Sequence, residues 1–105
     1  MLGIDIVYLP EFEARMKNVS LEKVFLQVEL SQNKTSENLA GIFAAKEAFF
    51  KALGKKANWL DVWIEKNKFG MPSLHSNIVN PSYNMEVSIS HKNKYAISVV
   101  FIWKH

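Results

Sequence analysis

The sequence predicts an α+β domain in which a small antiparallel sheet wraps around one long central helix. Residues 36–53 place apolar side chains around most of a helical circumference, the pattern of a helix buried on nearly every side. Residues 60–75 and 85–103 read as two pairs of strands, each pair joined by a short turn. The 105-residue length suits one hydrophobic core, so a single domain over 1–105 is expected.

LGIDIVY, residues 2–8, forms the first expected strand, with Leu2, Ile4 and Ile6 on one face and Gly3, Asp5 and Val7 on the other. Pro10 ends it. Residues 11–30 are amphipathic and partly helical, with Phe12, Met16, Val19, Val24 and Leu26 as apolar positions, and SQNKTSEN at 31–38 is a polar loop. Ser36 is the expected N-cap of the central helix, with Glu37 in its first turn. Gly54 closes that helix, and Lys55 and Lys56 follow at its negative end. Leu39, Ile42, Phe43, Phe49, Phe50 and Leu53 supply its bulk, while Gly41, Ala44, Ala45, Ala48 and Ala52 let neighbouring backbone come close. LDVWIE and MPSLH then flank the turn NKFG, and MEVSIS and YAISVVFIW flank the turn HKNK.

Composition excludes several classes. The chain is 49% hydrophobic and 22% charged, ordinary globular usage that rules against disorder. It has no cysteine, hence no disulfide, thiolate metal site or cysteine nucleophile. Asp5 interrupts the opening residues before a signal-peptide core can form, and the apolar run at 95–103 is too short to span a bilayer as a helix. A cytoplasmic protein with no membrane partner is expected. Residues 1–37 hold four basic and six acidic side chains, and residues 38–105 hold nine basic and four acidic ones. The basic portion suits an anionic partner, but a single arginine, Arg15, argues against nucleic acid. Seven Phe, three Trp and three Tyr are many for so small a domain, which favours a subunit interface.

Asp5 and Glu47 carry the first chemical question. A carboxylate among Ile and Val must be compensated by a lysine, backbone donors or a cation, unless it lies on the open face of an edge strand. Glu47 stands on the small-residue side of the central helix near Ala44 and Ala48. It either pairs with Lys51 four residues on, worth about 0.2–0.5 kcal/mol, or joins a site. Two carboxylates from different elements, with solvent and phosphate oxygens, form a usual Mg²⁺ ligand set if the fold brings them together. SISH at 88–91 sets a serine beside His91, but neighbours in a strand point to opposite faces and no acid partner is evident, so a hydrolase is discounted. By itself His91 reads as a turn residue.

Four stretches together resemble the holo-acyl-carrier-protein synthase family of 4′-phosphopantetheinyl transferases. They are GIDIV at 3–7, LAGIFAAKEAFFKALG at 39–54, DVWIEKNKFGMP at 61–72 and VSISHKNKYAISVV at 87–100, in the family's order. The resemblance implies the 4′-phosphopantetheinyl transferase fold and transfer of phosphopantetheine from coenzyme A to a serine of apo acyl carrier protein, releasing 3′,5′-ADP, in fatty acid biosynthesis. It also implies a homotrimer with active sites between subunits. Asp5 and Glu47 would bind Mg²⁺, Lys51 would stabilise or protonate the departing phosphate, and Glu47, directly or through water, would be the base. Lys51, Gly54, Lys55, Pro72, Ser90 and His91 would contact coenzyme A.

The chain departs from the family pattern at several places. Ile42 stands where an arginine is usual, and Pro10, Glu11 and Phe12 stand where a basic residue is common. Gly54-Lys55-Lys56 replaces Gly-Thr-Gly, and Gly70-Met71-Pro72 replaces Gly-Lys-Pro. Lys55 or Lys56 is therefore expected to supply phosphate-binding charge that Ile42 cannot, and Glu11 to narrow the choice of carrier. A non-catalytic carrier- or coenzyme-binding relative and a small basic nucleic-acid binder are the rival readings.

Overall fold

The computed structural model describes residues 1–105. Its elements, in chain order, are β1 (Leu2–Tyr8), α1 (Leu9–Met16), α2 (Gln27–Gln32), α3 (Ser36–Leu53), β2 (Val62–Lys66), β3 (Pro72–Ser76), β4 (Tyr83–Lys92) and β5 (Tyr95–Lys104). Short 3₁₀ turns at Leu21–Lys23 and Trp59–Asp61 precede α2 and β2. The strands form two antiparallel sheets, one of order β1-β5-β4 and one pairing β2 with β3.

Helix α3 lies at the centre, and twelve of its eighteen residues are buried. Its N-cap is Thr35, one residue earlier than expected, because the Thr35 hydroxyl accepts from the Asn38 N–H at 3.1 Å. Gly54 ends it at φ 80°, a left-handed conformation that glycine adopts without steric cost, and donates its N–H to the Phe50 carbonyl. β1 crosses α3 at backbone distance. A Cβ on Gly3 would fall 1.9 Å from the Ala48 carbonyl oxygen and 2.6 Å from the Ala52 nitrogen, so the alanines on α3 and the glycine on β1 make one contact.

The expected alternation of β1 holds, with Gly3, Asp5 and Val7 turned toward α3. The opposite face stays open: Leu2 is 68% exposed, Ile4 and Ile6 are each 59% exposed, and Tyr95, Ile97 and Phe101 on the paired β5 are exposed beside them. The β4–β5 hairpin is tighter than the sequence suggests. His91 and Lys92 still pair in the ladder, and only Asn93 and Lys94 turn, with Asn93 at φ 55°. His91 is thus a strand residue rather than a turn residue.

Within the stretch expected to be partly helical, a helix forms at 27–32 and runs two residues into the expected loop at 31–38, and its anchor is electrostatic. Glu29 and Lys46 are both fully buried, with Lys46 Nζ 2.7 Å from Glu29 Oε1. Glu29 accepts further from the Leu26 N–H at 2.8 Å and, from β2, the Ile64 N–H at 3.0 Å. Lys46 donates to the carbonyls of Val24 at 2.6 Å and Trp59 at 2.9 Å. One ion pair thereby ties α2, α3, β2 and both 3₁₀ turns together, with no buried side-chain polar atom left unpartnered. Burial lowers the Lys46 pKa below its ordinary value, and the charge and hydrogen bond of Glu29 oppose that shift.

Candidate active site

Asp5 turns inward from an edge strand and meets α3, so it does not lie on an open face in water. Its side chain is 15% exposed, and its Oδ1 accepts from Lys51 Nζ at 2.9 Å. Lys51 donates also to the Ile4 carbonyl at 3.1 Å and stays 56% exposed. Lys51 therefore pairs with Asp5 across 46 residues of sequence, not with Glu47 one turn away. Glu47 forms no ion pair. It shares with Asp5 a cleft of about 270 Å³ whose other walls include Glu11, Phe12 and Arg15 of α1 and Phe43 of α3.

The donor set tests the fit of a metal ion. Asp5 and Glu47 offer only carboxylate oxygens, the hard ligands that Mg²⁺ takes, and no histidine or cysteine lines the cleft. No group of three or more metal-ligating side chains is assembled by the chain. Two carboxylates fit an ion that shares its remaining positions with water and substrate phosphate, and do not fit a closed structural site.

Pro72 and His91 line a second cavity, of about 260 Å³, together with Asn38, Lys66, Gly70 and Ile89. His91 Nε2 lies 3.0 Å from the Glu37 carbonyl, a contact that requires the proton on Nε2. Gly41 makes room for that ring, since a Cβ there would sit 2.7 Å from Nε2. Ser90 is exposed on β4 beside His91 and lines neither cavity, and Gly54 and Lys55 at the end of α3 line neither. Lys56 lies over the Trp59 ring at 5.1 Å.

Lys66 is the cation that faces the second cavity, and reading the sequence missed it. It continues the inward face of β2 after the buried Val62 and Ile64, a period-two signal visible in VWIEK. Its Nζ donates to Asn33 Oδ1 at 2.6 Å, no carboxylate pairs with it, and burial lowers its pKa. Glu11 and Arg15 were missed as cleft residues, since nothing in their spacing relates α1 to Glu47.

A central helix clasped by antiparallel strands gathers two carboxylates and a lysine where β1 crosses it, a set of charges suited to phosphate chemistry. The model of the 4′-phosphopantetheinyl transferase superfamily matches residues 1–100. The chain is 34% identical to the holo-[acyl-carrier-protein] synthase of Nautilia profundicola, over 99% of this chain and 100% of that one. It is 37% identical to that of Campylobacter fetus subsp. fetus, over 97% and 98%. The crystal structure of Helicobacter pylori holo-[acyl-carrier-protein] synthase in complex with coenzyme A superposes with a TM-score of 0.88 at 30% identity, covering 98% of this chain and 100% of that one. The chain belongs to the holo-[acyl-carrier-protein] synthase family of 4′-phosphopantetheinyl transferases. No helix is long and apolar enough to cross a membrane.

Proposed function

We propose that this protein transfers 4′-phosphopantetheine from coenzyme A to a serine of an apo acyl carrier protein, in fatty acid biosynthesis in the cytoplasm, with Mg²⁺ held by Asp5 and Glu47. The observation that carries the proposal is the meeting of Asp5 and Glu47 on one cleft, with Lys51 bonded to Asp5 at 2.9 Å. In the reaction the serine oxygen attacks the β-phosphorus of coenzyme A, and the bond from that phosphorus to the bridging oxygen of 3′,5′-ADP breaks. Glu47, free of any ion pair, accepts the serine proton. Lys51 keeps its ammonium at the cleft by bonding Asp5 and the Ile4 carbonyl, and its exposed end neutralises or protonates the departing phosphate. When bound, Mg²⁺ would supply charge neutralisation at the phosphoryl oxygens.

The cavity of Pro72 and His91 is assigned to coenzyme A, with Lys66 as its cation, and Ser90, next to His91 on β4, would contact the coenzyme from outside its walls. Gly54 and Lys55, at the C-terminal end of α3, would contact the coenzyme from outside both cavities. The exposed apolar face of β1 and β5 supports self-association, taken here as a homotrimer from the family resemblance, since Leu2, Ile4, Ile6 and Phe101 form the kind of surface a subunit interface covers.

Intact-mass spectrometry of an apo acyl carrier protein incubated with the protein, coenzyme A and Mg²⁺ tests the reading. A Mg²⁺-dependent gain of one phosphopantetheine is expected. No gain with any of several carriers, despite coenzyme A binding, would instead support a non-catalytic relative.

A further inference from the structure

Three lysines are tethered through their ammonium groups. Lys46 is held by Glu29 and Lys51 by Asp5, so a carboxylate answers each of those charges. Lys66 is held by a neutral amide instead: its Nζ donates to Asn33 Oδ1 at 2.6 Å, and no carboxylate pairs with it. The tether is rigid. Asn33 is 2% exposed, and its Nδ2 donates to the Glu29 carbonyl at 2.8 Å, which leaves Oδ1 facing the ammonium. The preceding residue fixes the other end of the lysine. Gln32 Oε1 accepts from the Lys66 N–H at 2.8 Å, and Gln32 Nε2 donates to the Lys66 carbonyl at 3.1 Å, as the backbone of a neighbouring strand would. Two consecutive residues thus hold one lysine by its backbone and by its charge. It stands beside the cavity of Pro72 and His91 as the one lysine or arginine in its walls.

A lysine on an open surface loses rotamer freedom when an anion fixes it. One already fixed by an uncharged acceptor loses little and keeps its full charge for the anion. We propose that Asn33 is a positioning residue for coenzyme binding, presenting the Lys66 ammonium, ordered and not neutralised, to a phosphate group of the coenzyme in this cavity. The inference rests on the assignment of the cavity to coenzyme A above. Burial lowers the Lys66 pKa, and a phosphate beside it favours the ammonium again. Asparagine suits the position where aspartate does not, since a carboxylate would tether the lysine equally well but cancel the charge it presents.

Calorimetry measures the coenzyme A affinity of wild type, Lys66→Met, Asn33→Ala, Asn33→Asp and each Asn33 variant combined with Lys66→Met, at low and high salt, with melting temperatures alongside. Lys66→Met should weaken binding about tenfold, the loss of one charge-assisted hydrogen bond, and the difference should shrink in high salt. Asn33→Asp should weaken it about as much, and Asn33→Ala about threefold. In the Lys66→Met background neither Asn33 change should weaken binding further, because the amide acts on the coenzyme only through the lysine. A general distortion of the cavity would lower affinity in both backgrounds, and that result would refute the positioning role. Where Asn33→Ala does not fold, Asn33→Asp carries the same comparison. If the wild type binds coenzyme A and modifies a carrier but Lys66→Met binds as tightly, the inference falls while the transferase reading stands. If the variants behave as stated and no carrier is modified, the transferase reading falls while the inference stands. If the wild type binds no coenzyme A, both fall together.

Discussion

Replacing Glu29 by glutamine should destabilise the protein far more than a neutral, near-isosteric change ordinarily does. The carboxylate now accepts from Lys46, from the Leu26 N–H and from the Ile64 N–H. A glutamine oxygen can take part of that load, but its NH₂ group turns a donor toward donors already there. Breaking one side of a buried ion pair costs about 3–5 kcal/mol, against a total stability of about 5–15 kcal/mol for a domain. In urea, with a slope of about 1–3 kcal/mol/M, a loss of that size lowers the midpoint by roughly 1–3 M or more.

The sign of the pH dependence separates this mechanism from a simple packing defect. Burial holds the Lys46 pKa below 10.5, and Glu29 opposes the shift. Without Glu29 the ammonium is disfavoured further in the folded state, while the unfolded value is unchanged. Between those two values the unfolded chain binds more protons, so stability rises with pH. The penalty is therefore fully present below the variant's folded pKa and shrinks as pH rises from there to the folded pKa of the wild type, both lying below 10.5. Urea unfolding of wild type and Glu29→Gln at pH 7 and pH 10 should show the difference narrowing at the higher pH. A loss below about 1 kcal/mol at pH 7, far short of the cost of breaking a buried pair, would refute the reasoning. So would a difference that is equal at both values.

Three further outcomes are expected. Glu47→Gln should abolish carrier modification while leaving the melting temperature near that of the wild type, because the side chain makes no ion pair to lose; persistent turnover by intact mass would remove Glu47 as the base. Gly3→Ala should destabilise by about 1–3 kcal/mol or more, read by urea unfolding, because its Cβ would strike the Ala48 carbonyl and only a shift of β1 off α3 relieves that. If the proposed homotrimer is built on the exposed face of β1, Ile4→Glu should leave the fold intact by circular dichroism and shift the mass by light scattering to that of a monomer, and an unchanged mass would place the interface elsewhere.

The frame of the fold was legible because period and punctuation agree along it. Residues 36–53 read as a buried helix from apolar side chains around its circumference, and the Gly54 stop follows from the same stretch. The two hairpins and the facing of β1 follow from alternation. The bounds of the helix at 27–32, within a stretch read only as partly helical, escaped because its signal is only half present. Glu29 occupies the third position of a capping box, but Leu26 stands where a hydroxyl would announce it. The Asp5–Lys51 pair and the buried Glu29–Lys46 pair escaped for another reason. Their partners lie 46 and 17 residues apart, distances at which helical or strand spacing says nothing. Asp5 and Glu47 stood out by residue type and placement and the resemblance gave them and Lys51 their roles, and the geometry sets the two carboxylates on one cleft with Lys51 bonded to Asp5. Lys66 could have been read from the alternation of β2, whereas Glu11 and Arg15 could not, since only the approach of α1 to α3 sets them at the cleft.

The open apolar face of β1 and β5 bears on how the protein behaves on dilution. Where further copies cover Leu2, Ile4, Ile6 and Phe101, association contributes to folding stability by mass action, and the melting temperature rises with protein concentration. β1 also carries Asp5, so its docking on α3 sets the geometry of the cleft. A preparation diluted to trace levels for kinetics would then lose specific activity as subunits part, and added carrier or coenzyme would slow that loss only by holding the subunits together. Rates measured over a hundredfold range of enzyme concentration would separate this dissociation from chemical inactivation, because only dissociation reverses when the sample is concentrated again.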